Sequence, residues 1–212
     1  MTRTRIKICG ITTAKDAAAA VAAGADAVGV IFAPSPRQVT LEQAALALAA
    51  VPPPVARVGV FVNALPDEVA AAVRACGLNA VQFNGSESPE ACENSPVPVI
   101  KAVPIGTDFG LVAAEPFRGH AAALLLDTYH ADKAGGTSQT FDWRSLGTIP
   151  GWAPFFVAGG LTPDNVGECI EVLHPFAVDV SSGVELSPGV KDHAKLSALC
   201  AAVRVADQGV SR

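Results

Sequence analysis

The chain has 212 residues, half of them apolar and only 17% charged, which suits one domain of helices packed on a buried parallel sheet and argues against disorder. The formal net charge of −5 comes without a basic run, so neither nucleic acid nor an anionic membrane surface is an expected partner. No stretch approaches the ~18 uninterrupted apolar residues of a membrane span, and Met1-Thr2-Arg3 leads directly into a strand rather than a signal sequence, so a cytoplasmic location is expected. Cys9, Cys76, Cys92, Cys169 and Cys200 are widely spaced with no C-x-x-C pair, which suggests neither a disulfide framework nor a structural zinc site. The last four fall in helical stretches and read as small buried hydrophobes.

Arg5 to Cys9 alternates as a first strand, and Gly10-Ile11-Thr12-Thr13 turns into an alanine-rich helix, Ala14 to Ala23, closed by Gly24. Ala27 to Phe32 is the second strand. The loop Ala33-Pro34-Ser35-Pro36-Arg37 is kept out of helix by its prolines, and Leu41 to Ala50 is the second helix. After Pro52-Pro53-Pro54 come a third strand, Arg57 to Val62, and a helix, Pro66 to Cys76, capped by Gly77. Ala80 to Phe83 is a short fourth strand, followed by Asn84-Gly85 and a helix around Pro89 to Glu93.

Val97 to Ala102 is the fifth strand, with a helix expected near Asp108 to Ala114. Ala121 to Leu126 is the sixth and most apolar strand. It stops at Asp127, and Thr128 to Thr140 forms a long polar loop before Phe141-Asp142-Trp143 opens a short helix. Pro154 to Val157 and Phe176 to Val180 are strands seven and eight, joined by a helix from Thr162-Pro163 to about Leu173, and Lys191 to Ala206 is the last helix. Repeating βα units of roughly 25 residues predict an α/β fold, a single (β/α)8 TIM barrel over residues 1–212.

In such a barrel the active site lies at the C-terminal ends of the strands. Standing there are Cys9, Arg37, Asn63, Gln82 and Asn84, Lys101, Asp127, Gly159-Gly160, and Ser181-Ser182-Gly183. Small-residue turns after strands seven and eight leave backbone N–H groups uncovered, so together they can surround a phosphate. A glycine pair also serves as plain punctuation in α/β proteins that bind nothing. A thiol and a carboxylate facing each other across a barrel mouth can transfer protons if their pKa values are moved from their usual ranges. Asp127 follows Leu124-Leu125-Leu126, so desolvation should raise its pKa and favour the acid form, although a turn or N-cap carboxylate is the plainer reading of its position. Cys9 would need the reverse, a pKa lowered by Lys7, a helix start or the positive field of the substrate site.

Beyond these patterns the chain resembles the phosphoribosylanthranilate isomerases of tryptophan biosynthesis from end to end. The matching stretches include Lys7-Ile8-Cys9-Gly10-Ile11-Thr12, Ser35-Pro36-Arg37, Leu125-Leu126-Asp127, Gly159-Gly160-Leu161-Thr162-Pro163 and Asp179-Val180-Ser181-Ser182-Gly183-Val184-Glu185. The resemblance implies an Amadori rearrangement of N-(5′-phosphoribosyl)anthranilate without metal or cofactor. It implies Asp127 as general acid and Cys9 as general base, Arg37 on the anthranilate carboxylate, and Gly159, Gly160, Ser181, Ser182 and Gly183 around the phosphate. Lys7, Gln82, Asn84 and Asp179 belong with these on the substrate side, and a monomer or homodimer is expected.

Two positions depart from the family pattern. Asn84 stands where a histidine is usual, and Ser138 stands where Gly-Gly-Thr-Gly would place a glycine. Asn84 can donate a hydrogen bond but cannot carry charge, and Ser138 adds a Cβ in a loop that would close over substrate. Two other readings share these features: a related phosphosugar isomerase, including one of dual specificity, and a phosphosugar-binding barrel with impaired catalysis. The histidine-pathway isomerase, which the chain also resembles in reaction type, uses an aspartate where Cys9 stands.

Overall fold

Eight parallel strands, each hydrogen-bonded to the next, close on themselves in the order β1 to β8 in the computed structural model, which describes residues 3–106, 110–128, 140, 142–146 and 149–209. The strands are β1 (Arg5–Ile8), β2 (Ala27–Ile31), β3 (Ala56–Phe61), β4 (Ala80–Phe83), β5 (Val99–Ile105), β6 (Ala123–Thr128), β7 (Phe155–Val157) and β8 (Ala177–Val180). Closure comes from β1 pairing with β8, Lys7 opposite Asp179. The helices are α1 (Ala14–Ala23), α2 (Leu41–Leu48), α3 (Pro66–Cys76), α4 (Pro89–Glu93), α5 (Val166–Leu173) and α6 (His193–Gly209). The expected stops are in place: Gly24 and Gly77 cap α1 and α3 in the left-handed conformation, and Thr40 and Gln43 form a capping box on α2.

Side chains alternate between the two faces of a strand, which sorts the barrel residues into an inner and an outer row. Val58, Ile100, Ala123, Leu125, Phe156 and Ala177 form one buried cluster, whereas Ile6, Ile8, Val28, Val178 and Val180 pack with apolar helix residues such as Leu196 and Leu199. The first set fills the barrel and the second fills the layer between sheet and helices. Following the inner rows toward the C-terminal ends brings Lys7 and Cys9 from β1, Gln82 from β4, Asp127 from β6, and Asp179 and Ser181 from β8 to the same mouth.

Four elements differ most from expectation. β5 and β6 run to Ile105 and Thr128, because their parallel pairing continues through Pro104 opposite Asp127 and Ile105 opposite Thr128. Asp127 therefore lies within a strand rather than just after it. The helix expected at Asp108 to Ala114 is a 3₁₀ segment, Leu111–Phe117, containing Pro116, whose ring is incompatible with α-helical hydrogen bonding at that point; residues 107–109 lie outside the described residues. The last helix does not begin at Lys191. Val190 and Lys191 form a short strand, β10, antiparallel to β9 (Glu185–Ser187), and Asp192 caps α6 by accepting the amides of Ala194 and Lys195. The polar loop after Thr128 and the expected helix start at Phe141 fall largely outside the described residues, as does Ser138.

Candidate active site

The Lys7 ammonium, fully enclosed, meets Asp179 Oδ2 at 2.7 Å across the β1–β8 seam. A buried lysine would ordinarily lose its proton to desolvation, but Asp179 and Cys9 beside it overcome that penalty and hold its pKa above the usual value. Cys9 is 7% exposed. Room for its thiol is made by Gly29 on the neighbouring strand, where a Cβ would stand 3.0 Å from Cys9 Sγ and 3.3 Å from Lys7 Cε.

The lowered pKa that Cys9 would need as a base is not found at this site. Burial pushes the thiol up, Asp179 adds to that, and the pull of Lys7 and Lys191 does not cancel it. Asp127 behaves as its position implied: desolvation first, and then the charge of Asp179, raise its carboxyl to about 6 against the opposing pull of the Thr128 amide and Lys7. Its side chain keeps partial contact with solvent at the mouth.

Several buried polar atoms on the inner rows at the same end of the barrel have no hydrogen-bond partner among the described residues: Asp179 Oδ1, Gln82 Oε1 and Ser181 Oγ. Gln82 spends its amide N–H on Asn84 Oδ1 at 2.8 Å, and Asn84 itself is exposed. Buried polar atoms are nearly always satisfied in a folded protein, so a group of orphans facing one space marks where a polar ligand completes the set. Two clefts open instead at the opposite end of the barrel, one beside Arg3, Arg5 and Phe176, the other beside His120 and Val99. Neither holds Cys9 or Asp127, and the orphan atoms locate the chemistry better than the clefts do.

The turns after β7 and β8 lie against each other. Gly159 and Gly160 have φ of 87° and 64°, the left-handed region that suits glycine. A Cβ on Gly183 would collide with the Leu161 carbonyl oxygen, so only glycine permits this approach of the two turns. Ser181 and Ser182 lie in the second turn, immediately after β8.

Arg37 packs over the first strand's end, where a Cβ on Gly10 would stand 2.6 Å from its Cδ and 2.9 Å from Ser181 Oγ. Its guanidinium is forked onto Glu185, Nε donating at 2.9 and 3.1 Å and Nη2 at 2.7 Å. Glu185 also accepts from Lys191 Nζ at 2.8 Å, and that ammonium donates further to the Cys9 and Ser181 carbonyl oxygens at 2.6 and 3.2 Å. The sequence reading assigned no role to Glu185 or Lys191. The usable signal was Glu185-Leu186-Ser187-Pro188-Gly189-Val190-Lys191, in which a Pro-Gly turn separates two short alternating runs, the pattern of a hairpin.

Of the other residues expected at strand ends, Lys101 and Asn63 do not reach the mouth. Lys101 alternates with the inward-facing Ile100 and Ala102 and so lies on the outer row, donating to Phe83 O, Gly85 O and Glu87 Oε2 at 3.2, 2.6 and 2.8 Å. Asn63 Oδ1 accepts from the Ser86 amide at 2.8 Å. Among the described residues no group of three His, Cys, Asp or Glu could hold a metal ion, and no helix is long and apolar enough to cross a membrane.

Comparison with known proteins agrees with this geometry. Residues 6–202 match the family model for N-(5′-phosphoribosyl)anthranilate (PRA) isomerase. The chain is 48% identical to the N-(5′-phosphoribosyl)anthranilate isomerase of Pseudomonas fluorescens strain SBW25 over 96% of its own length and 97% of that protein's. It is 49% identical, with the same coverage, to that of Pseudomonas aeruginosa strain LESB58. Among solved structures, the phosphoribosylanthranilate isomerase of Thermotoga maritima superposes with a TM-score of 0.85 at 39% identity, covering 95% of this chain and 99% of that one. A phosphoribosylanthranilate isomerase in complex with reduced 1-(o-carboxyphenylamino)-1-deoxyribulose 5-phosphate superposes with a TM-score of 0.82 at 38% identity and the same coverage. The matches run from β1 into α6, the span that also carries Cys9, Asp127 and the two turns, and the chain belongs to the N-(5′-phosphoribosyl)anthranilate isomerase family.

Proposed function

We propose that this barrel, acting as one domain, rearranges N-(5′-phosphoribosyl)anthranilate with Asp127 as general acid and Cys9 as general base. The observation that carries the reading is the carboxyl of Asp127, held near 6 on an inner row that converges with that of Cys9 on one mouth. Asp127 donates its proton to the furanose ring oxygen, and the ring opens to a protonated Schiff base between C1 and the anthranilate nitrogen. Cys9, as thiolate, then removes the proton from C2 to give the enolamine, which tautomerises to the 1-(2-carboxyphenylamino)-1-deoxyribulose 5-phosphate. A carboxyl raised to about 6 is a far stronger donor than water and holds a proton at neutral pH more often than an ordinary aspartate.

The remaining assignments follow chemical type. The uncovered amides of Gly159, Gly160, Ser182 and Gly183, with the Ser181 hydroxyl, suit the phosphate. Arg37 suits the anthranilate carboxylate. Asp179 Oδ1 and Gln82 Oε1, unpartnered acceptors, suit sugar hydroxyls, and the exposed Asn84 suits the role of a neutral donor. Lys7 holds Asp179 by its ion pair, and its charge favours the Cys9 thiolate. A cytoplasmic monomer or homodimer suits this role, and one solved relative from Thermotoga maritima is described as dimeric.

The test is direct: the fluorescence of freshly formed phosphoribosylanthranilate should decay on adding the protein, and inorganic phosphate should slow that decay competitively. A preparation that is folded by circular dichroism yet leaves the fluorescence constant would refute the proposal.

A further inference from the structure

The guanidinium of Arg37 has two hydrogen-bonding edges, and the structure shows one of them already taken. The side edge, Nε with Nη2, is docked on Glu185 by three contacts of 2.7 to 3.1 Å. A guanidinium presents five N–H donors in one rigid plane, so fixing the side edge fixes the direction of the end edge, Nη1 with the second hydrogen of Nη2. Among the described residues, Nη1 has no hydrogen-bond partner. The plane cannot slide away either, because the Arg37 side chain is wedged against Gly10.

Glu185 is itself immobilised. Its side chain is 4% exposed and Lys191 Nζ holds Oε1 at 2.8 Å. Burial alone would raise its pKa, but the hydrogen bonds from Arg37 and Lys191 outweigh that and keep it below the usual carboxylate range, so it is ionised at neutral pH. Lys191 in turn is anchored on the carbonyl oxygens of Cys9 and Ser181. The β9–β10 hairpin thus ties the arginine on the loop after β2 to the ends of β1 and β8.

We propose that Glu185 is a positioning residue that aims Arg37, leaving the Nη1/Nη2 edge as a preset fork for the carboxylate of the aromatic amine half of the substrate. This rests on the assignment of Arg37 to that carboxylate. Its consequence is specificity: a fixed planar fork rewards a carboxylate lying in its plane, and an amine component lacking that group gains nothing from it. Contact with a carboxylate remote from the reacting carbons is uniform binding, so its loss appears in KM and leaves kcat nearly unchanged.

The experiment is a cycle of Glu185→Gln, Arg37→Ala and the double variant, with kcat and KM measured by fluorescence decay. Glu185→Gln should raise KM by roughly tenfold, the size expected when a charge-assisted contact is misaimed rather than removed. On the Arg37→Ala background the same change should raise KM no further, since both substitutions disable one device. Additive effects on KM, or an effect of Glu185→Gln on kcat alone, would overturn the proposal. Glu185→Gln leaves the buried Lys191 without its carboxylate partner, so Arg37→Lys supplies a variant with an intact hairpin. Lysine can still pair with Glu185 but has no second edge, and its KM should approach that of Arg37→Ala; a wild-type KM in Arg37→Lys would also overturn the proposal. An unchanged KM in Arg37→Ala would overturn the assignment of Arg37 itself and this inference with it.

Discussion

Two buried lysines near the C-terminal end of the barrel, Lys101 on β5 and Lys7 on β1, look alike in the sequence and differ in what surrounds them. Lys101 sits in a closed network. Its ammonium makes three bonds, and Glu87, which accepts one of them, also accepts the amides of Asn63 and Gly85 at 2.8 and 2.9 Å. Lys7 pairs with one oxygen of Asp179, while the other oxygen, the Ser181 hydroxyl and the Gln82 carbonyl oxygen lack partners. A network that satisfies all its members fixes a loop. One that leaves several acceptors open is stabilised only when a ligand completes it, and it is where stability has been given up for chemistry.

Breaking each network should therefore show a different loss. Cys9→Ala and Asp127→Asn should each lower kcat by about 10²- to 10⁴-fold, the usual range for removing a positioned acid or base, with phosphate still bound. Near-normal turnover in either would remove that residue from the proton transfers. Lys101→Met should do the opposite. Leaving Glu87 buried without its cation should cost about 3–5 kcal/mol of stability, read by urea denaturation, while kcat of the folded fraction stays close to wild type. A large kcat loss without destabilisation would place Lys101 in the catalytic site and erase the distinction between the two lysines.

Much of the barrel was legible because its signals are local. Alternating apolar runs, glycine caps and prolines at helix starts located all eight strands, and the C-terminal ends then nominated Cys9, Asp127, Arg37 and the two turns. The two-residue extension of β6 did no harm, since a shift of two preserves which face a side chain occupies. Lys101 was misjudged because a strand end identifies a level in the barrel and not a face. Distinguishing the rows needed the neighbours of Ile100 and Ala102, which only the closed sheet supplies. Arg37 and Glu185 are 148 residues apart, so their pairing leaves no mark in either local stretch. The direction of the Cys9 shift was equally out of reach, because the local sequence shows Lys7 nearby but not how completely the thiol is enclosed.

The open network should also cost stability in a way that depends on pH. Folded Asp127 keeps its proton up to about 6, whereas an unperturbed aspartate releases it near 3.8. Between these values the folded state binds more protons than the unfolded one, so stability falls as pH rises through that window and stays lower above it. Asp127→Asn removes the penalty, and at pH 7 the variant should be more stable by on the order of 2 kcal/mol, a figure reduced for the partial solvent contact of the carboxyl. Near pH 3.5 the two proteins should melt alike. Equal melting temperatures at pH 7 would mean that the carboxylate is better solvated than its surroundings imply.

The finest test concerns the order of the two ionisations, since the acid has the lower pKa and the base the higher. The reactive state, Asp127 protonated with Cys9 ionised, is then a minority tautomer of the singly protonated pair. Its share is constant between the two ionisations and falls on either side, so kcat/KM should rise up to about 6, level off, and decline only beyond the raised ionisation of Cys9. The acidic limb thus marks the titration of Asp127 even though Asp127 is the acid. In Asp127→Asn the amide cannot titrate, and the reactive state becomes the Cys9 thiolate alone. The residual kcat/KM should then climb about tenfold per pH unit straight through 6, reaching its plateau only where Cys9 ionises, with no alkaline decline. A break that persists near 6 in Asp127→Asn would show that another group sets that limb, and the pairing of this carboxyl with this thiol would have to be abandoned.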